Sequence, residues 1–178
     1  MIVLGTDATD LLTAERFLRF GGLEAGPEYD TVTLWVDSAE LADDGEDGSG
    51  NPLFDSLVGI PKTIETGPGC LRYCITFRDC LSYAWRDESY GLPEDTDAED
   101  GPEAGAPLLR QYQGSAFLDY VAQATRAGEV LDVPFLHFAV CTLDATLDVA
   151  CLAAPEVTAE MIAPDDPGPK PGLGKPGR

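Results

Sequence analysis

The sequence predicts an α+β fold, in which a mostly antiparallel sheet of about five strands has one or two helices packed on one face. Several short segments alternate apolar and polar side chains, which is typical of strands with one buried face. Few segments repeat apolar residues at helical spacing. The regular exchange of strand and helix that a parallel sheet requires is also missing, so neighbouring strands are expected to run antiparallel.

The N-terminal part of the chain is expected to hold a helix between two strands. Met1–Leu4 is interpreted as a short strand or an irregular start. The short acceptor side chains of Asp7–Asp10 suit a helix N-terminus, the apolar spacing behind them extends to Leu18, and Gly21-Gly22 ends the helix. The β-branched and aromatic residues of Thr31–Val36 predict the next strand.

The clearest strand is Cys70–Phe77, because its side chains alternate strictly between two faces. A shorter strand over Lys62–Glu65 precedes it. Arg78-Asp79 is expected to turn the chain into a second strand, Leu81–Arg86, so that the two strands form a hairpin. A helix over Asp79–Glu88 is the alternative, but the aromatic content of this segment suits a sheet surface better.

The C-terminal half is expected to add a strand, a helix and a β-hairpin. Leu108–Tyr112 predicts the strand. The most regular helical spacing covers Ala116–Ala127, and Gly128 stands where a helix commonly ends. Phe135–Thr142 alternates apolar and polar side chains, and the residues that follow alternate again as far as Cys151, which predicts the hairpin.

These elements are expected to form one domain over residues 1–163, a length that can bury a core of its own. Acidic loops are expected near residues 37–51 and 92–107, where glycine, proline and carboxylates replace apolar side chains. Each loop contains six acidic residues, so together they hold 12 of the 32 acids. The Pro/Gly-rich segment 164–178 has little to bury and is expected to be a disordered tail.

The strongest compositional signal is charge, because 32 acidic and 11 basic residues give a formal net charge of −21 at pH 7. Such a surface repels nucleic acids and anionic membranes, and it attracts cations and basic proteins. Solubility alone, or a composition shared by a whole proteome, explains the same charge equally well. No leader segment opens the sequence and no apolar run approaches the length of a membrane span, so a cytoplasmic location is expected.

The residues suited to nucleophilic catalysis are few. His137 is the one histidine of the chain, and Cys141 lies four residues further along the same predicted strand. Because both side chains face one side of the sheet, a Cys–His site is one interpretation. A strand histidine beside a small core thiol is the more ordinary one, so no catalytic residue is predicted.

Metal binding is not predicted either. The five cysteines and His137 are the ligand types of a zinc site, but reduced, buried thiols of an intracellular protein explain them more simply. In the loop that begins at Asp43, Gly45 and Phe54 stand at the third and twelfth positions, where a calcium-binding EF-hand requires oxygen ligands. No metal and no cofactor are therefore expected.

The sequence favours a non-enzymatic acidic binding or inhibitor protein that neutralises a basic partner, either a toxin or a nucleic-acid-binding protein. In charge and size it would act as bacterial immunity proteins do. Acidic side chains that steer the partner and aromatic side chains that anchor it form the candidate binding set: Asp37, Glu40, Asp43, Asp44, Glu46, Asp47, Trp85, Asp87, Glu88 and Tyr90. The alternatives are a nucleic-acid mimic and a small enzyme with a Cys–His or carboxylate site.

Overall fold

A computed structural model describes residues 2–26, 30–42, 63–90, 108–166 and 168. Its elements follow one another along the chain as β1 (Ile2–Leu4), α1 (Thr6–Ala14), β2 (Leu18–Ala25), β3 (Val32–Ser38), β4 (Glu40–Leu41), β5 (Ile64–Glu65), β6 (Leu71–Phe77), β7 (Cys80–Asp87), a 3₁₀ turn (Glu88–Tyr90), β8 (Leu109–Tyr112), α2 (Ala116–Ala124), α3 (Ala127–Val130), β9 (Leu136–Cys141), β10 (Ala145–Cys151) and β11 (Glu156–Met161). The predicted α+β class is confirmed.

The strands form two larger sheets and a small ribbon. The first sheet has five strands in the order β1-β11-β6-β3-β2, and the second has four in the order β7-β10-β9-β8. Strands β4 and β5 pair with each other. Every strand pairing within the described residues is antiparallel, which agrees with the predicted, mostly antiparallel arrangement. The chain passes from the first sheet to the second between β6 and β7, and it returns between β10 and β11.

The core lies between the two larger sheets. In the first sheet Tyr73, Ile75 and Phe77 of β6 are completely buried, which confirms the face predicted for this strand. In the second sheet Phe138 and Val149 belong to the same buried cluster. The rings of Phe77 and Phe138 meet across the two layers with their centroids 6.1 Å apart. Because each buried apolar side chain contributes about 1.5–3 kcal/mol, contacts between the sheets provide the main stabilisation of the fold.

The two longer helices contact different sheets. Helix α1 packs against β1 and β11 and contributes Ala8 and Leu12 to the core. Helix α2 packs against β9 and β10, where Val121 is completely buried. Ser115 caps α2, since its hydroxyl accepts a hydrogen bond from the Leu118 amide at 3.1 Å. In the described ranges, neither these helices nor the single turn α3 has the length and apolarity needed to cross a bilayer.

The first helix differs from its predicted extent. Helix α1 begins after Gly5, whose φ of 66° favours glycine, and it ends at Ala14. Leu18, predicted to lie in this helix, begins β2 and is 1% exposed. Gly21-Gly22 lies inside β2 and coincides with a register shift against β3. A glycine pair ends a helix and also permits a β-bulge, so local sequence could not separate the two roles.

The segment after β6 was predicted correctly as a strand, and the helical alternative is wrong. The predicted hairpin is also wrong, because β6 already has β3 and β11 as its two neighbours. The turn is made at Asp79, whose φ of 50° directs the chain out of the first sheet. Strand β7 therefore pairs with β10.

The C-terminal elements are largely as expected. The β9–β10 hairpin is confirmed, and helix α2 is confirmed although it ends before Gly128, which lies in α3. Strand β11 follows Pro155 and was not predicted, although it joins β1 to β6. The expected loop 37–51 begins later than predicted, because Asp37 lies in β3. Residues 43–62, the expected loop 92–107, and 169–178 of the expected tail lie outside the described residues.

Candidate functional site

Part of the predicted binding set lies together at the C-terminal end of β7. Trp85 is 49% exposed, and Tyr90 in the following 3₁₀ turn is 88% exposed. Asp87 is half-buried and Glu88 is exposed between them. Tyr83, two residues before Trp85 on the same face of the strand, is 42% exposed. These five residues are referred to below as the β7 surface.

The position of β7 at a sheet edge explains why its aromatic rings are exposed. Tyr83 lies opposite Val149 and Trp85 lies opposite Leu147, so both rings continue the core-facing row of the second sheet. Among the described residues β7 is the outermost strand of this sheet, so no further strand extends the row beyond it, and both rings are partly exposed. Sequence alternation places these rings with the core, whereas the sheet order leaves them accessible.

The 3₁₀ turn holds the end of the β7 surface in place. The Asp87 carboxylate accepts a hydrogen bond from the Ser89 amide at 2.9 Å. The Glu88 amide donates to the Asp144 carbonyl at 3.2 Å, which ties the turn to the β9–β10 connection. Tyr90 and Glu88 are therefore presented on a turn with fixed backbone contacts.

The other predicted binding residues do not join this surface. Asp37 is 8% exposed, and its two carboxylate oxygens accept hydrogen bonds from Arg72 at 2.8 and 3.0 Å. Arg72 also donates to Asp166 at 2.7 Å. Asp37 is thus a buried structural residue rather than an exposed acid. Glu40 is exposed on β4. The remaining four predicted acids lie outside the described residues: Asp43, Asp44, Glu46 and Asp47.

The positive charge of the described surface is largely neutralised by carboxylates. Five arginines each form an ion pair with a carboxylate: Arg19, Arg72, Arg78, Arg86 and Arg126. Because acids outnumber bases by 32 to 11 in the whole chain, many carboxylates have no arginine or lysine available to them. The outer surface of the protein is therefore strongly anionic.

A second cluster, centred on the buried His137 and Asp148, was not predicted. The Nε2 atom of His137 lies 3.0 Å from a carboxylate oxygen of Asp148, and Nδ1 lies 2.8 Å from the hydroxyl oxygen of Ser115. The other Asp148 oxygen accepts a hydrogen bond from Arg86 Nε at 2.8 Å. These four side chains are referred to below as the polar array. They form a chain of hydrogen bonds from the start of α2 to strand β7.

Strand register builds the polar array. His137 pairs with Ala150, and Asp148 is two residues away on the same face of β10, so the two side chains are diagonal neighbours. Arg86 is the corresponding diagonal neighbour of Asp148 from β7. The imidazole lies between two rings, with centroid distances of 4.8 Å to Tyr112 and 5.1 Å to Phe117. These contacts fix the orientation of the histidine ring.

The protonation of the array follows from its partners. Burial alone raises the pKa of Asp148, but hydrogen bonds from His137 and Arg86 outweigh this effect, and the net pKa lies below its ordinary value. Asp148 is therefore a carboxylate that can only accept, so His137 carries a proton on Nε2. In the neutral ring, Nδ1 then accepts the hydroxyl proton of Ser115.

The suggested Cys141–His137 pair is not formed. Four residues of extended strand separate the two by about 13 Å, well beyond hydrogen-bond reach. None of the five cysteines, all of which lie in the described ranges, forms a disulfide, and only Cys151 is fully buried. Burial raises the pKa of Cys80 to about 11, and it also raises the pKa of Cys74 and Cys151. Across the described ranges, no three histidine, cysteine or acidic side chains are grouped as a metal site requires.

The sequence did contain a signal for the array. The predicted hairpin places His137 on the face opposite Phe138, and the alternation of the returning strand places Asp148 on the face opposite Val149. Matching these faces brings the histidine and the carboxylate together. The contribution of Ser115 could not be found in this way, because it depends on how α2 lies across the sheet.

No protein-family model, no curated protein and no solved structure matches this chain. The function is therefore inferred from the chemistry of the β7 surface and the polar array.

Proposed function

We propose that this protein is an acidic binding or inhibitor protein that captures a basic protein partner through the β7 surface. The observation that supports it most directly is the exposure of three large aromatic side chains within eight residues, beside two carboxylates. Its five cysteines form no disulfide, which suits a reducing, cytoplasmic setting. In this role it would resemble immunity proteins, which neutralise toxins, in physical principle.

The aromatic side chains supply the affinity in this proposal. Tyrosine and tryptophan are enriched among the few residues that dominate binding energy, where truncation costs about 2 kcal/mol or more. Trp85 is the central candidate, because half of its surface is already covered and its ring is held on a strand. A partner that covers the other half gains apolar contact without first having to order the ring.

In this proposal the negative net charge accelerates association with the partner and favours cationic partners over others. An anionic surface accelerates encounter with a cationic partner, and the acceleration falls as salt screens it. Glu88 and Asp87 lie next to the aromatic rings, so steering and anchoring occur at one place. A nucleic-acid mimic is less well supported, since the buried acids Asp37 and Asp148 are occupied by arginines and cannot imitate backbone phosphates.

The proposal is tested by affinity capture from the source-cell lysate at low salt, followed by titration with the purified partner. Wild type should retain a basic protein, and the variants Trp85→Ser and Tyr90→Ser should bind it at least about 30-fold more weakly, as expected for interface anchors. The affinity of wild type should fall steadily as salt is raised.

The matched control is Tyr120→Ser, because Tyr120 is 61% exposed and belongs to α2, which packs against β9 and β10. This variant should bind the partner as wild type does. The proposal fails if no basic protein is retained, or if Trp85→Ser and Tyr120→Ser have the same affinity.

A further inference from the structure

We infer that the polar array is a catalytic site in which Ser115 is the nucleophile, His137 the general base and Asp148 the residue that positions the base. The reaction class is acyl transfer from a carboxylic ester. This inference is independent of the β7 surface and can hold whether or not the protein binds a basic partner.

The order of exposure along the array suits these roles. Ser115 is only half-buried, whereas His137 is 4% and Asp148 is 5% exposed. A nucleophile must meet substrate, while its base and the group behind the base gain strength from exclusion of water. The two hydrogen bonds of 2.8 and 3.0 Å are within the range required for proton transfer between nucleophile and base and for orientation of the base.

Three neighbouring side chains fix the orientation of the His137 imidazole, as a general base requires. Tyr112 stacks on the ring, Phe117 packs against it, and Asp148 accepts its Nε2 proton. Arg86 keeps Asp148 ionised by pairing with its second oxygen. The nitrogen atoms are used in the opposite order from the usual serine triad, in which Nε2 faces the serine. Either nitrogen of an imidazole can take up a proton, so the base function is preserved.

Ser115 also lies where negative charge can be stabilised. It is the N-cap of α2, and the first N–H groups of a helix have no acceptor within the helix. One lone pair of its hydroxyl oxygen accepts from the Leu118 amide, which leaves the other free to attack. The Ala116 and Phe117 amides, which precede Leu118 in the first turn of α2, can together with the helix dipole stabilise the oxyanion that forms beside the serine.

The reaction balances without any further reagent. The Ser115 hydroxyl proton passes to His137 Nδ1 while the oxygen forms a bond to the ester carbonyl carbon. The carbon–oxygen bond to the leaving alcohol then breaks, and the alcohol takes the proton from His137. Water then gives a proton to the same nitrogen while its oxygen bonds to the acyl carbon. The bond from that carbon to Ser115 Oγ breaks, the carboxylic acid leaves, and Oγ takes the proton from His137. A net charge of −21 disfavours anionic substrates, so the substrate is a neutral or cationic ester.

The inference is tested with an alkyl fluorophosphonate, which phosphonylates activated serines with loss of fluoride. Wild-type protein should be modified at Ser115, located by peptide mass spectrometry. Ser115→Asn should not be modified, although asparagine caps a helix as well as serine does and circular dichroism should show that α2 is retained. His137→Gln should be modified at least about 100-fold more slowly, the usual contribution of a general base.

Two further variants make the result decisive. Ser89→Ala removes an exposed serine outside the array and should leave the modification rate unchanged. Asp148→Asn keeps a hydrogen-bond acceptor for His137 but removes the charge, and it should slow modification at least about 10-fold even if His137→Gln fails to fold. The inference is overturned if folded wild type is not modified at Ser115, or if modification there is as fast in folded Asp148→Asn as in wild type.

Discussion

The buried ion pair between Asp37 and Arg72 gives the sharpest test of how the fold is stabilised. Replacing Asp37 with asparagine keeps the shape of the side chain and one oxygen acceptor for Arg72. It removes the negative charge and one of the two charge-assisted hydrogen bonds. Arg72 would retain Asp166 at 2.7 Å, so its charge is only partly uncompensated. Full removal of one partner from a buried pair costs about 3–5 kcal/mol. We expect Asp37→Asn to lower the free energy of unfolding by about 2–3 kcal/mol.

Urea denaturation at neutral pH measures this loss directly. With a slope of about 2 kcal/mol per molar urea, the midpoint should fall by about 1–1.5 M and the slope should not change. The matched control is Glu156→Gln, which makes the same chemical change in an exposed pair with Arg78 at 3.3 Å. That variant should lose less than about 1 kcal/mol, since solvent screens the pair. Equal losses in the two variants would refute the assigned role of Asp37.

Three other predictions follow from the same structure. The pKa of Asp148 is lowered in the folded protein, so this carboxylate stabilises the fold above the ordinary carboxyl pKa of 3.8, and the contribution is lost as the pH falls through the folded pKa. In urea denaturation, Asp148→Asn should therefore lower the free energy of unfolding by about 1.5–3 kcal/mol at pH 7 and by much less in acid. An equal loss of unfolding free energy at both pH values would contradict this. With a pKa of about 11, the Cys80 thiol should react with iodoacetamide at pH 8 about 100-fold more slowly than free cysteine until urea unfolds the chain. A rapid reaction at Cys80 itself in the folded protein would contradict its burial. Phe77→Ala should cost about 3–5 kcal/mol by thermal or urea unfolding, because its ring joins the two sheets, and a loss below about 1 kcal/mol would contradict that contact.

Local sequence was informative wherever the side-chain period was unambiguous. Alternation correctly assigned the buried face of β6 and the β9–β10 hairpin, since both depend on neighbours within a few residues. It was uninformative at Gly21-Gly22, where the same residues suit a helix end and a β-bulge. The candidate site was only partly predictable, because exposure of Trp85 depends on its strand being outermost.

The α+β class, the antiparallel pairing, the anionic charge and the short set of aromatic residues at the end of β7 could all be predicted from the amino-acid sequence. These properties follow from composition and from periodicity over a few residues. Long-range packing produces the two larger sheets, buries Asp37 against Arg72, and places His137 between Ser115 and Asp148. Such contacts join residues from 11 to 35 positions apart, and strand order is set by packing of the whole core rather than by any one segment.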